Sequence, residues 1–148
     1  MSTPAASAFP QALLVAMDFS PSARRALDRA MSWSTSGEVT ALHVIDSEFV
    51  ARVEASGLGS AAAAVAKLRA RAEEEFGWLV QEKGADIVSP MIVEGIPFVE
   101  IVKIASDLEV DMIVMGTHPR TSSLEEVLFG GTAEKVLRTS RCPVLCVP

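Results

Sequence analysis

The chain has 148 residues, 49% apolar and 22% charged, with 19 acidic and 13 basic side chains and a formal net charge of −6 at pH 7. Nucleic-acid binding rests on clustered Lys and Arg that neutralise phosphates, so this balance argues against a nucleic-acid partner. The apolar run Ala12–Met17 is too short for a membrane span or a signal core and stops at Asp18, so no membrane partner is expected.

Residues 1–11, with Pro4 and Pro10 among small polar residues, read as a flexible N-terminal arm. Residues 12–148 read as one domain, long enough for a normal single core. Ala12–Met17 is a first strand, and its lack of alternation marks burial on both faces. Ser20 then Pro21 is an N-cap followed by proline at the first helical position. Ala23, Ala26, Leu27, Ala30 and Met31 form one apolar helix face, which Ser36-Gly37 ends.

Val39–Ile45 is a second strand. Residues 46–60 follow no regular pattern, and Gly57 and Gly59 interrupt them. A long helix then runs through Val65, Leu68, Ala72, Phe76 and Leu79 to a stop near Gly84. Ile87–Val93 is a third strand; Pro90 cannot donate to a ladder, which puts this strand at a sheet edge or gives it a bulge. Gly95-Ile96-Pro97 turns into a helix with Phe98, Ile101, Val102, Ala105 and Leu108 inward. Met112–Met115 is a fourth strand, Thr132–Arg138 a helix and Val144–Val147 a fifth strand. Strict alternation of strands and helices implies right-handed crossovers and an α/β, doubly wound, mostly parallel sheet.

Ligands of such sheets sit at the carboxyl ends of the strands. Asp18 stands there directly after the first strand, with two readings. It can accept hydrogen bonds from an adenine or a ribose, or it can help Ser20 cap the first helix. Gly116 follows the fourth strand, where a missing side chain lets a main-chain N–H approach a ligand. His118 can contact a phosphate, act as a general base or be a plain loop histidine. Gly130, Gly131 and Thr132 precede a helix start, whose free N–H groups and hydroxyl suit anionic oxygens.

His43, among Leu42, Val44 and Ile45, reads as a hydrogen-bonded structural histidine. Arg24, Arg25 and Arg29, and likewise Lys67, Arg69 and Arg71, lie beside acidic residues on helices and read as solvated faces. Gly57-Leu58-Gly59-Ser60-Ala61-Ala62 fits a loose dinucleotide pattern but follows no strand, so a dinucleotide site is rejected. Walker lysine, nucleophile elbow and metal-ligand cluster are all missing from the sequence. Nothing sets a base beside a nucleophile, so an enzyme reading lacks a mechanism. Cys142 and Cys146, four apart in a strand, would lie roughly 13 Å apart and read as reduced thiols.

Several pieces in order carry a family resemblance. They are Val15-Ala16-Met17-Asp18-Phe19-Ser20, Leu42-His43-Val44-Ile45-Asp46, Glu94-Gly95-Ile96-Pro97, Asp111 through His118, and Gly130 through Leu137 with Cys142-Pro143-Val144-Leu145. From about Ala12 to Pro148 the chain resembles the universal stress proteins. The resemblance implies an adenine nucleotide alpha hydrolase-like, Rossmann-like domain with a five-stranded parallel sheet in the order 3-2-1-4-5. It also implies a cytoplasmic homodimer paired through the last strand, with ATP or AMP, and magnesium, as ligand. Hydrolysis would be slow at most, and protein partners stay unnamed. The residues it points to are Met17, Asp18, Val44 and Met115 for adenine and ribose, and Gly116, His118, Gly130, Gly131 and Thr132 along the phosphates.

In the nucleotide-binding branch the loop reads G-x2-G-x9-G-(S/T). Here Gly116 matches the first glycine, Pro119 takes the second and Gly130 the third, after a spacer one residue too long. Gly131 replaces the hydroxyl residue, with Thr132 one position late. Proline has no N–H to give, and a lost charge-assisted bond costs about 1.5–3 kcal/mol, about ten- to a hundredfold in affinity. The alternative is therefore a dimeric interaction protein whose nucleotide pocket is vestigial.

Overall fold

A computed structural model describes residues 12–34, 38–84, 88–117 and 131–148. Its elements run β1 (Leu13–Ala16), α1 (Pro21–Trp33), β2 (Val39–Asp46), α2 (Ser47–Ala55), α3 (Ala61–Lys83), β3 (Val88–Gly95), α4 (Pro97–Asp107), β4 (Met112–Gly116), α5 (Gly131–Thr139) and β5 (Val144–Val147). The strands form one five-stranded sheet in the order β3-β2-β1-β4-β5, every neighbouring pair parallel.

The two-residue period of the strands sorts the core into two layers. Leu13, Val15 and Met17, with Val39, Ala41 and Val114, face Ala23, Ala26, Leu27 and Ala30 of α1 and Phe76 and Leu79 of α3. Leu14, Leu42, Ile113 and Met115 face Ile101, Ile104 and Ala105 of α4 and Ala133 and Val136 of α5. Helices on both faces bury Leu13, Leu14 and Val15 of β1 completely, which is why these residues have no polar alternation.

Local signals set the element ends. Ser20 caps α1 by accepting from the Ala23 N–H at 3.2 Å, and Pro21 opens the helix. α1 ends at Trp33, ahead of the expected stop at Ser36-Gly37, which lies outside the described residues. Gly84, at φ +104, ends α3 as expected, its N–H donating to the Val80 carbonyl at 2.8 Å. Pro90 sits in β3 at the sheet edge, paired in register with Ala41.

One expectation is corrected: residues 46–60 contain a helix, α2. The Asp46 carboxylate accepts from the Glu48 and Phe49 N–H groups at 2.9 and 3.4 Å and starts it, while Val50 is its buried residue. A single buried residue makes no periodic stripe, so the N-cap was the only sequence signal for this helix.

Three residues of the two basic groups pair with neighbouring elements. Arg24 binds Glu75 at 2.7 Å, Arg69 binds Glu94 at 3.2 Å, and Arg25 donates to the Pro148 carbonyl at 2.7 Å. Cys142 and Cys146 are free, half-buried thiols. Among the described residues, no helix is long and apolar enough to cross a membrane.

Candidate functional site

The register leaves a gap at one end of the sheet. β1 stops at Ala16, opposite Leu42, whereas β2 continues four residues further to Asp46 and stays paired with β3. β1 is also the strand from which the chain order departs in both directions, to β2 on one side and β4 on the other. A crevice outside the carboxyl ends of the strands belongs at such a switch point. There a cleft of ≈ 440 Å³ opens between the ends of β1, β2 and β4 and the first turns of α1, α4 and α5.

Seven of the nine sequence candidates line this cleft: Met17, Asp18, Val44, Met115, Gly116, Gly131 and Thr132. His118 and Gly130 lie outside the described residues. The seven offer different chemistry. Met17 as a whole is 2% exposed and packed into the α1–α3 layer, so its side chain belongs to the core. Val44 and Met115 belong to the α4–α5 layer and form, with Ile101, an apolar wall.

Asp18 does help shape the start of α1. One carboxylate oxygen accepts from the Ser20 N–H at 2.9 Å, and the Ser20 and Ser22 hydroxyls are 3.3 Å apart. Between Asp18 and Ser20, Phe19 has φ +64, a left-handed conformation that a bulky residue holds at a cost of about 1–3 kcal/mol. Its surroundings hold it there. The ring packs edge-on against Phe76 with centroids 5.0 Å apart and against His43 at 5.1 Å. Arg24 Nε donates to the Phe19 carbonyl at 3.3 Å while its guanidinium binds Glu75.

Gly116 is glycine for a reason other than ligand access. A Cβ there would stand 2.7 Å from the Ser22 carbonyl carbon and 2.8 Å from the Ala23 nitrogen. The end of β4 thus rests on the first turn of α1, and a side chain would wedge them apart. Gly131 is the opposite case: a Cβ built on it meets nothing within 4 Å. It opens α5, and Gly131, Thr132 and Ala133 of that first turn line the cleft.

Sequence reasoning did not name Ser20, Ser22, Asp46, Pro97, Ile101 and Thr117 as lining residues, although all of them contribute. Their membership follows from strand register and helix packing, which no local spacing reveals. His43 is half-buried and hydrogen-bonded, as expected of a structural histidine, with Nδ1 2.7 Å from the Met17 carbonyl oxygen. It also lines the cleft. Among the described residues no three His, Cys, Asp or Glu converge as a metal centre would require.

Residues 11–148 match the model of the universal stress protein family. The chain belongs to that family. A universal stress protein of Methanocaldococcus jannaschii, MJ0577, is 35% identical over 151 residues, covering 91% of this chain and 93% of its own. The solved structure of MJ0577 superposes with a TM-score of 0.79 at 37% identity, covering 93% and 94% of the two chains. The universal stress protein UspA from Lactobacillus plantarum gives 0.70 at 25% identity, covering 96% and 100%. A universal stress protein solved in complex with cAMP shares the fold at a TM-score of 0.59 and 22% identity, covering 94% and 97%. The sheet order read from the family resemblance is the order of this universal stress protein domain.

Proposed function

We propose that this universal stress protein is a small cytoplasmic stress-response or signalling module, a single domain whose cleft binds ATP or AMP weakly. The observation that carries this reading is the main chain of Val44. In a parallel sheet, alternate residues direct both main-chain groups to the same neighbour. Glu38 and Leu42 accept from Leu13 and Met17 on the β1 side, so Val44, two residues on, points its N–H and C=O that way too. By then β1 has ended, and the cleft stands in its place.

Val44 therefore offers a donor beside an acceptor. Adenine offers the complement, an acceptor at N1 beside a donor at N6. Val44, Met115 and Ile101 supply apolar surface for the ring, and Asp18 a carboxylate for the ribose hydroxyls. Gly131 and Thr132, at the positive end of the α5 dipole, suit the phosphates, on which magnesium would ride. His118 and Gly130 complete the set on sequence grounds. The cAMP complex of a relative speaks for the capacity of the fold to hold an adenine nucleotide.

Pro119 withholds one N–H from the phosphates, so the reading is of weak binding. Calorimetry with ATP, AMP and inosine triphosphate in magnesium tests it. Saturable binding of ATP or AMP, abolished by Asp18→Ala, supports the reading; silence at millimolar nucleotide refutes it and favours a vestigial pocket.

A homodimer through β5 belongs to the same reading. β5 ends the sheet, and all four of its residues are half-buried within the protomer. An apolar edge strand invites pairing with a second chain. Truncation after Arg141 then yields monomers or unfolded chains, and an intact dimer contradicts the assignment.

A further inference from the structure

We infer that His43 is a positioning residue for this cleft: its ring takes the Met17 carbonyl and so leaves the Val44 N–H facing the ligand. The ligand part of this inference rests on the adenine reading above; the geometric part does not.

The β1–β2 ladder has a next step that is not taken. Leu13 N–H bonds Glu38 C=O, and Met17 N–H bonds Leu42 C=O at 2.8 Å. The step after these would be Val44 N–H to Met17 C=O. Instead the Met17 carbonyl is engaged by His43 Nδ1 at 2.7 Å. A carbonyl can only accept, so Nδ1 carries the proton and the ring is the donor. The side chain next to Val44 thus satisfies the carbonyl that Val44 would otherwise claim, and the ladder ends without a buried acceptor left unpaired.

The ring is held in place from behind. Phe19 packs on it at 5.1 Å and is itself braced by Phe76 of α3 at 5.0 Å. The left-handed turn at Phe19 carries the chain away from β2 directly after Asp18, so no further β1 residue competes for Val44. A line of contacts therefore runs from α3 through Phe19 and His43 to Met17, and its effect is felt at Val44. The pairing signal is in Leu42-His43-Val44: a donor side chain immediately before the residue whose main chain the cleft uses.

Two variants separate the role of the donor from that of the ring. His43→Asn keeps an N–H donor near the Nδ1 position, whereas His43→Phe keeps an aromatic ring on Phe19 and removes the donor. Amide hydrogen exchange, followed by NMR without nucleotide, reads the geometry. Leu42 N–H, inside the ladder, serves as internal reference. Val44 N–H exchanges fast in the parent and in His43→Asn, and at least about tenfold more slowly in His43→Phe, where it rejoins the Met17 carbonyl.

Calorimetry then reads the consequence. ATP affinity falls on the order of tenfold in His43→Phe and is retained in His43→Asn, and preference for ATP over inosine triphosphate declines with it. A protected Val44 N–H in the parent protein overturns the inference, as does equal exchange in the parent and His43→Phe. If the parent binds no nucleotide at all, the adenine reading fails and the exchange rates alone decide the role of His43.

Discussion

Gly116→Ala distinguishes two reasons for a glycine at the end of β4. A Cβ at this position would approach the Ser22 carbonyl carbon at 2.7 Å and the Ala23 nitrogen at 2.8 Å. Both are main-chain atoms, and the Ser22 hydroxyl lies closer still; Ser22 and Ala23 are each 2% exposed, and turning the hydroxyl away leaves the main-chain clash in place. Either β4 or the first turn of α1 must move by several tenths of an ångström. That movement also strains the Ser20 cap on the Ala23 N–H. Overpacking of this kind costs about 1–3 kcal/mol. For a chain of this size it lowers the melting temperature on the order of 5 °C. Urea and thermal unfolding without nucleotide read the effect directly. A glycine kept only for ligand approach predicts unchanged stability and weaker binding. A Gly116→Ala variant with the parent midpoint and slope in urea would refute the packing argument.

Four further outcomes are expected. Gly131→Ser adds a hydroxyl at the cleft without a clash, so ATP affinity rises several-fold in calorimetry; weaker binding would contradict a phosphate position there. Glu109 has φ +51 at the end of α4, so Glu109→Gly relieves a left-handed side chain and stabilises by up to about 1 kcal/mol in urea unfolding. Lys83 is held above its ordinary pKa of 10.5, first by its hydrogen bond to Asp28, at 2.6 Å. This pair contributes fully below that ordinary value and is lost as pH rises through the higher folded value. Asp28→Asn therefore costs at most about 1 kcal/mol at neutral pH, and the difference disappears in strongly alkaline unfolding titrations. Burial pushes the Cys146 thiol up, so iodoacetamide labels it more slowly than a free thiol at pH about 8 until urea unfolds the chain.

The strand-and-helix alternation was legible because parallel strands buried on both faces are short, continuous apolar runs. Leu13–Ala16 and Met112–Gly116 stand out for that reason. Pro90, through its missing N–H, pointed to an edge position or a bulge, and β3 lies at the edge. α2 escaped because Val50 is its one buried residue, and the neighbouring Gly57 and Gly59 dominate the local pattern.

For the site, residue types adjacent to strand ends were legible, and the reasons for them were not. Gly116 was a visible glycine, but its contact with Ser22 depends on how α1 crosses β4. Asp18 was open between ligand and cap, and its bond to the Ser20 N–H supports the cap without removing it from the cleft. His43 read as structural, and it is, yet its bond acts at the cleft wall. Val44 was a candidate only through the family resemblance; the sequence carries no register, and the four-residue overhang of β2 beyond β1 is what turns the Val44 main chain to the cleft.

The most direct test of the adenine cleft is a titration of the Val44 amide by 1H–15N NMR with ATP and, separately, with inosine triphosphate. A saturable downfield shift of the Val44 N–H is expected with ATP, as it donates to adenine N1, and little change with inosine triphosphate. A Val44 resonance that stays put while ATP shifts residues elsewhere would contradict it, because the nucleotide would then be read by groups other than the open end of β2.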